Sequence, residues 1–163
     1  VFWLARPTLD SIAWGGAIGA LGLFVRGLAA GHLRKHEALA VTGPYAYTRN
    51  PLYFGSAVLA AGLALACRSW IAAGLVAAYF VVFYIPVMRR EEQELRKLYG
   101  VAFEQYAKRV PLFFPALNRS TETGVGARPF SWPQYVRNRE YQAAVGFVLV
   151  LAALCLLWRW RGE

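Results

Sequence analysis

Four long stretches of this chain carry almost no charge. Residues 11–30 hold one charged side chain, Arg26, while residues 51–66, 70–88 and 141–158 hold none. At about 1.5 Å of rise per residue, runs of 18 to 20 residues cross the hydrocarbon core of a bilayer as helices. The 16-residue run does so once Cys67 and its neighbours are added. Apolar residue types make up 58% of the chain and charged ones 17%, against about a quarter charged in an ordinary soluble domain. We therefore expect four spanning helices, with lipid as the solvent.

The formal charge of +9 invites a nucleic-acid reading, but its distribution opposes one. Of 18 Lys and Arg, three lie between the first two spans (Arg34, Lys35, Arg49). Ten lie between the third and fourth: Arg89, Arg90, Arg96, Lys97, Lys108, Arg109, Arg119, Arg128, Arg137 and Arg139. With four helices both connections fall on one side, which the positive-inside rule makes cytosolic. The basic excess is a topology signal that also attracts anionic membrane lipid, and no nucleic-acid partner is expected.

The first span is rich in glycine. Gly15 with Gly19, and Gly27 with Gly31, form small-xxx-small pairs that let helix backbones approach closely in lipid. We read them as bundle packing ahead of a dimer seam. Pro86 should kink the cytosolic end of the third span. Residues 31–50 read as a structured connection, and residues 89–108 as an amphipathic helix that stops at Val110-Pro111. Residues 118–133 read as a loop, in which the sequon Asn118-Arg119-Ser120 is a chance match. Trp132, Tyr135 and Tyr141 suit a membrane interface. Cys67 and Cys155 sit at or within spans and give no disulfide framework. His32 and His36 are four apart, yet no Cys or carboxylate cluster completes a set of ligands, so no metal is expected. Arg26 should snorkel toward the cytosolic surface. The start at Val1 without Met, and the turn-like residues 7–10, lead us to expect an upstream segment.

Three features rise above this background. The first is residues 43–53, Gly-Pro-Tyr-Ala-Tyr-Thr-Arg-Asn-Pro-Leu-Tyr. Asn50 suits a helix N-cap and Pro51 a first helical residue. That leaves Arg49 and three tyrosines at a helix N-terminus, where free amides and the helix dipole favour an anion such as a carboxylate. The second is Arg89-Arg90-Glu91-Glu92. At about 100° per residue, Leu95, Leu98, Tyr99, Ala102, Phe103 and Tyr106 fill an arc of roughly 140°, and Glu91 and Glu92 project inside it while Glu94 does not. Carboxylates on the apolar side of a helix are costly unless paired or ligand-bound. The third is the aromatic run over residues 98–115, ending in Val110-Pro111.

Taken together these features resemble the isoprenylcysteine carboxyl methyltransferase family, membrane enzymes that use S-adenosylmethionine and are related to phospholipid methyltransferases. The matching positions are Gly43 and Tyr45, then Arg49, Asn50, Pro51 and Tyr53, then Glu91 and Glu92, then Tyr99, Gly100, Phe103, Tyr106, Val110 and Pro111. They cover residues 33–115. Asn50 stands where the founding enzymes carry His, so no ionisable imidazole serves there. The resemblance implies one all-α membrane domain over residues 1–163, with about four transmembrane helices and cytosolic amphipathic helices covering a cofactor pocket. Residues 33–115 form its family-like core, and residues 116–163 add a loop and a helix.

It further implies that S-adenosylmethionine is held by the connection before the second span (Leu39, Ala40), by Tyr45, Asn50, Pro51, Leu52 and Tyr53, and by Glu91 and Glu92. Methyl transfer from a sulfonium needs in-line approach and exclusion of water more than acid–base help. Arg49 and Arg90 are the candidates for orienting an anionic substrate or the cofactor carboxylate. The acceptor would be lipophilic, met at the cytosolic face. Two alternatives stand beside this reading: a membrane reductase resembling the sterol reductases, which would use NADPH, and a non-catalytic membrane partner protein.

Overall fold

The computed structural model describes residues 5–34, 38–117 and 129–161. Among these residues every regular element is helical. Helix α1 (Leu9–His32) opens with a reciprocal cap: the Ser11 amide donates to Thr8 Oγ1 at 3.2 Å and the Thr8 amide to Ser11 Oγ at 2.9 Å. A short 3-10 turn (Gly43–Ala46) leads to α2 (Pro51–Cys67). Arg68, in the left-handed conformation, ends α2, and Ser69 caps α3 (Trp70–Tyr79) by accepting the Ala72 amide at 3.3 Å. So tight a link forces α2 and α3 antiparallel. A π turn (Phe80–Tyr84) joins α3 to α4 (Ile85–Arg109); α5 (Trp132–Arg137) and α6 (Tyr141–Arg161) complete the chain.

The α1–α2 seam is built on glycine. A methyl group added at Gly15 would strike Gly62 O and Ala66, and one at Gly22 would strike Gly55 O and Leu59. The other face of α1 takes α6, with Gly16 against Leu151 and Gly19 against Phe147. The glycines thus serve packing within the chain. In lipid, where apolar side chains gain little by meeting one another, such close approach supplies the van der Waals contact that holds helices together.

Three helices are long and apolar enough to cross a membrane: Leu9–His32, the continuous helical stretch Trp70–Arg109, and Tyr141–Arg161. The fourth expected span, α2, has 17 residues, about 26 Å of rise against roughly 30 Å of hydrocarbon. Pro51 and the left-handed Arg68 bound it on either side.

Several expectations need correction. Residues 89–108 continue directly from the third span rather than forming a separate helix. The irregularity near Pro86 is the π turn just before it: proline offers no N–H to Val82 O, and a widened turn accommodates the loss. Within α4, Gly100 (φ 50°, ψ −122°) breaks the helix. The inward line of α4 is Met88, Glu92, Leu95, Tyr99, Phe103 and Tyr106, spaced four, three, four, four and three, and Val110 beyond the helix continues it. Leu98, Ala102 and Glu91 lie on the exposed side. The expected loop over residues 118–133 falls largely outside the described residues, as do the sequon and His36, and its described end already enters α5.

Gly100 supports a direct test, because a Cβ there would touch nothing within 4 Å and only the backbone requires glycine. In detergent, Gly100→Ala should lower unfolding stability by about 1–3 kcal/mol. Gly74→Ala, equally open but within regular α3, should be neutral or stabilising by up to about 1 kcal/mol. Equal effects would show that the break does not depend on glycine.

Candidate functional site

The three sequence features meet at one end of the bundle. Residues 47–50 run beside residues 111–116 and are joined to them by main-chain and side-chain hydrogen bonds. The Arg49 amide donates to Pro111 O at 2.9 Å and the Ala116 amide to Tyr47 O at 2.9 Å. The buried Thr48 donates its hydroxyl to Phe113 O at 2.9 Å. Asn50 occupies the N-cap position of α2, but its side chain makes no cap bond; Nδ2 donates instead to Leu112 O at 3.0 Å. This corrects the expected capping role: the amide donor, not the carbonyl oxygen, is what the position uses.

The acidic pair closes the third side. Glu92 Oε1 lies 2.5 Å from Arg49 NH1, with the two side chains 17% and 15% exposed. Arg49 Nε is buried and finds no hydrogen-bond acceptor among the described residues, and Glu92 Oε1 likewise has no hydrogen-bond donor among them. Tyr53, in the first turn of α2, donates its hydroxyl to Glu91 Oε1 at 2.9 Å, and Glu91 is otherwise exposed. Glu92 and Glu91 therefore sit about 100° apart on α4 and grip two residues four apart at the start of α2, Arg49 just before it and Tyr53 in its first turn.

Tyr45 is buried in the 3-10 turn, and Tyr106 donates its hydroxyl to Tyr45 O at 2.7 Å. Burial first, and then the neighbouring Tyr106, push the Tyr45 phenol far above its ordinary range. It stays neutral and protonated at any working pH. Leu39 packs against the cluster of Phe103, Tyr106 and Val110; Ala40 is partly buried beside it in sequence, and Pro51 is fully buried. Arg90 is not brought to the site. Its side chain is 81% exposed and pairs with Glu94 at 3.4 Å, one turn along α4.

On the membrane side, Phe80 stacks on Tyr84 and meets Phe113 edge-on, while Tyr84 meets Tyr53 edge-on. Beyond Phe80 an apolar cleft of about 730 Å³ opens between α2 and α3, walled by Ala57, Ala61, Ala64, Ala73 and Ala77. Sequence reasoning missed Thr48 and the carbonyls of residues 111–113, whose role is invisible until the two segments pair. It also missed Glu140, which binds Arg26, so Arg26 is paired rather than snorkelling. Among the described residues, no three His, Cys, Asp or Glu side chains converge as a metal site would require.

The nickel-cobalt-cadmium resistance protein NccN of Alcaligenes xylosoxydans xylosoxydans is 38% identical over 85 residues, 52% of this chain and 39% of that protein. The Delta(14)-sterol reductase LBR of Gallus gallus is 33% identical over 76 residues, 46% of this chain and 12% of that protein. The protein-S-isoprenylcysteine O-methyltransferase of Schizosaccharomyces pombe is 29% identical over 90 residues, 55% of this chain and 38% of that protein. The chain thus spans two fifths or less of the length of these relatives. No solved structure matches it. The phospholipid methyltransferase family matches residues 14–102, more than half of the chain and all of the Arg49–Glu92 and Tyr53–Glu91 pairings, and this chain is a member of that family.

Proposed function

We propose that the protein transfers a methyl group from S-adenosylmethionine to a lipophilic acceptor at the cytosolic face of the membrane. The observation that carries this reading is the convergence of residues 43–53, Glu91 and Glu92, and residues 106–116 around the N-terminus of α2. S-adenosylmethionine, when bound, supplies an electrophilic methyl group on a sulfonium. The residues present fit it. The buried Arg49 Nε lacks an acceptor and suits the cofactor carboxylate, and the free amides at the start of α2 add to that attraction.

Glu91 and Glu92 would accept hydrogen bonds from ammonium or hydroxyl groups. Tyr45, Leu39, Ala40 and Asn50 to Tyr53 would form the walls. Arg49 orients, and the aromatic cluster of Phe80, Tyr84 and Phe113 excludes water. The exposed Arg90 takes no part in holding the cofactor. The cleft between α2 and α3 favours a lipophilic acceptor, since its walls are apolar except for Arg68 and Ser69 at the link between the two helices. The similarity to a sterol reductase keeps an NADPH-dependent reductase as the second reading, and binding of S-adenosylhomocysteine or of NADPH to purified protein separates the two.

Calorimetric titration with S-adenosylhomocysteine tests the acidic pair. Glu92→Gln should raise the dissociation constant about tenfold or more, the worth of a charged hydrogen bond, and Glu91→Gln should weaken binding less, being more exposed. Glu94→Gln, whose carboxylate pairs among the described residues with the exposed Arg90, should leave it unchanged. Equal affinities across the three would reduce Glu91 and Glu92 to an ordinary helix surface.

Orientation is tested separately. With Cys155 replaced by serine, an impermeant thiol reagent applied to intact cells should label Arg68→Cys and spare Gln105→Cys and Val136→Cys. The reverse pattern would place the site outside.

A further inference from the structure

We propose that Arg26 and Glu140 are positioning residues: a largely buried ion pair through which the segment preceding α6 holds the first turn of α2, and with it Asn50 and Tyr53, in register with Leu112 and Glu91. Glu140 lies beyond the family-matched residues 14–102. Arg26 projects from α1 and uses its whole fork. Nε donates to Glu140 Oε2 and NH2 to Glu140 Oε1, both at 3.0 Å. NH1 reaches Leu52 O at 3.4 Å and bonds Ser56 Oγ. Ser56 in turn donates to Leu52 O at 2.9 Å.

The side chains of Arg26 and Glu140 are 21% and 12% exposed. Gly55 makes the path possible, because a Cβ there would stand 2.7 Å from Arg26 Cγ. A charge at this depth is costly alone and tolerable in a pair. A pair placed only to join α1 to the α6 segment would have no need of α2. Here the third nitrogen of the guanidinium is spent on Leu52, between Pro51 and Tyr53, on the turn whose other contacts are Leu112 and Glu91. Lysine could keep the charge opposite Glu140 but lacks the fork that spans all three elements.

The effect on cofactor affinity rests on the proposed methyl-donor site; the clamp on α2 does not. The test uses the full chain in detergent, comparing wild type, Arg26→Lys, Glu140→Ala and Asn138→Ala. Asn138 is the control, since its Nδ2 ties the same segment to Ala30 O and Leu33 O at 2.8 and 3.2 Å without touching α2. Hydrogen exchange is read at the amides of Arg49 and Phe54, which bond Pro111 O and Asn50 O. Titration with S-adenosylhomocysteine is read alongside.

Exchange and dissociation constant should each rise about fivefold in Arg26→Lys and Glu140→Ala, the scale of one net hydrogen bond, and stay at wild-type values in Asn138→Ala. The thermal midpoint of Arg26→Lys should remain near that of wild type, which keeps the result readable if Glu140→Ala folds poorly. Unchanged exchange in Arg26→Lys, or an equal rise in Asn138→Ala, would overturn the clamp. Faster exchange with unchanged affinity would overturn its link to the site. A wild type that binds no S-adenosylhomocysteine would overturn the methyl-donor reading, while the exchange data still decide the clamp.

Discussion

A guanidinium at the N-terminus of a helix is badly placed on its own, since the free amides and the dipole there already carry positive character. Arg49 stands at that point of α2, and the arrangement around it answers the problem. Glu92 lies 2.5 Å from its NH1, Glu91 is held close by Tyr53, and the Arg49 amide is taken by Pro111. Cation, helix terminus and two carboxylates come from segments some forty residues apart in sequence. Helix α4 must bring its acidic pair to this end of the bundle, and residues 111–116 must return alongside residues 47–50, or the charge on Arg49 has no partner. The course of the chain between Tyr45 and Ala116 is set by that requirement.

The glycine seam between α1 and α2 serves the same end by different physics. Backbone contact at Gly15, Gly22, Gly55 and Gly62 fixes α2 against α1 closely enough for Arg26 to reach Leu52 across it. Helix α3 has no such seam with its neighbours. Its side chains Trp70, Ile71, Leu75 and Tyr79 are exposed, as lipid-facing side chains should be, and the cleft beside α2 follows from that looser fit. Tight packing on one side of α2 and an apolar opening on the other put the candidate site between a rigid wall and the bilayer.

The all-helical fold was legible because charge-free runs of this length permit little else in lipid, and motif order pointed to the positions from Tyr45 to Glu92 that meet at the candidate site. What stayed hidden depended on three-dimensional phase or on pairing at a distance. The arc drawn over residues 91–106 was too wide: the buried line of α4 is narrower and leaves Glu91, Leu98 and Ala102 exposed. Asn50 looked like a cap because its position in sequence was right, whereas its amide answers a carbonyl, Leu112 O, sixty residues on. Arg26 looked like a snorkelling residue because nothing in sequence couples it to Glu140. Local chemistry predicts local structure; the partner of a buried polar group is fixed only when the chain has closed on itself.

Those hidden partners share a character that bears on the chemistry. The proposed methyl transfer from a sulfonium would ask for orientation and dryness rather than a titrating acid or base. The polar groups at this end of the bundle are correspondingly committed and balanced: Arg49 faces Glu92, Arg26 faces Glu140, and burial keeps Tyr45 neutral. A site of this kind discriminates by what remains unanswered within it. Among the described residues those are the buried Nε of Arg49 and Oε1 of Glu92, a donor and an acceptor without hydrogen-bond partners at the N-terminus of α2. The donor, next to the free amides of that helix end, favours an anionic group at one spot, and under the proposed function that spot would fix the orientation of the methyl donor.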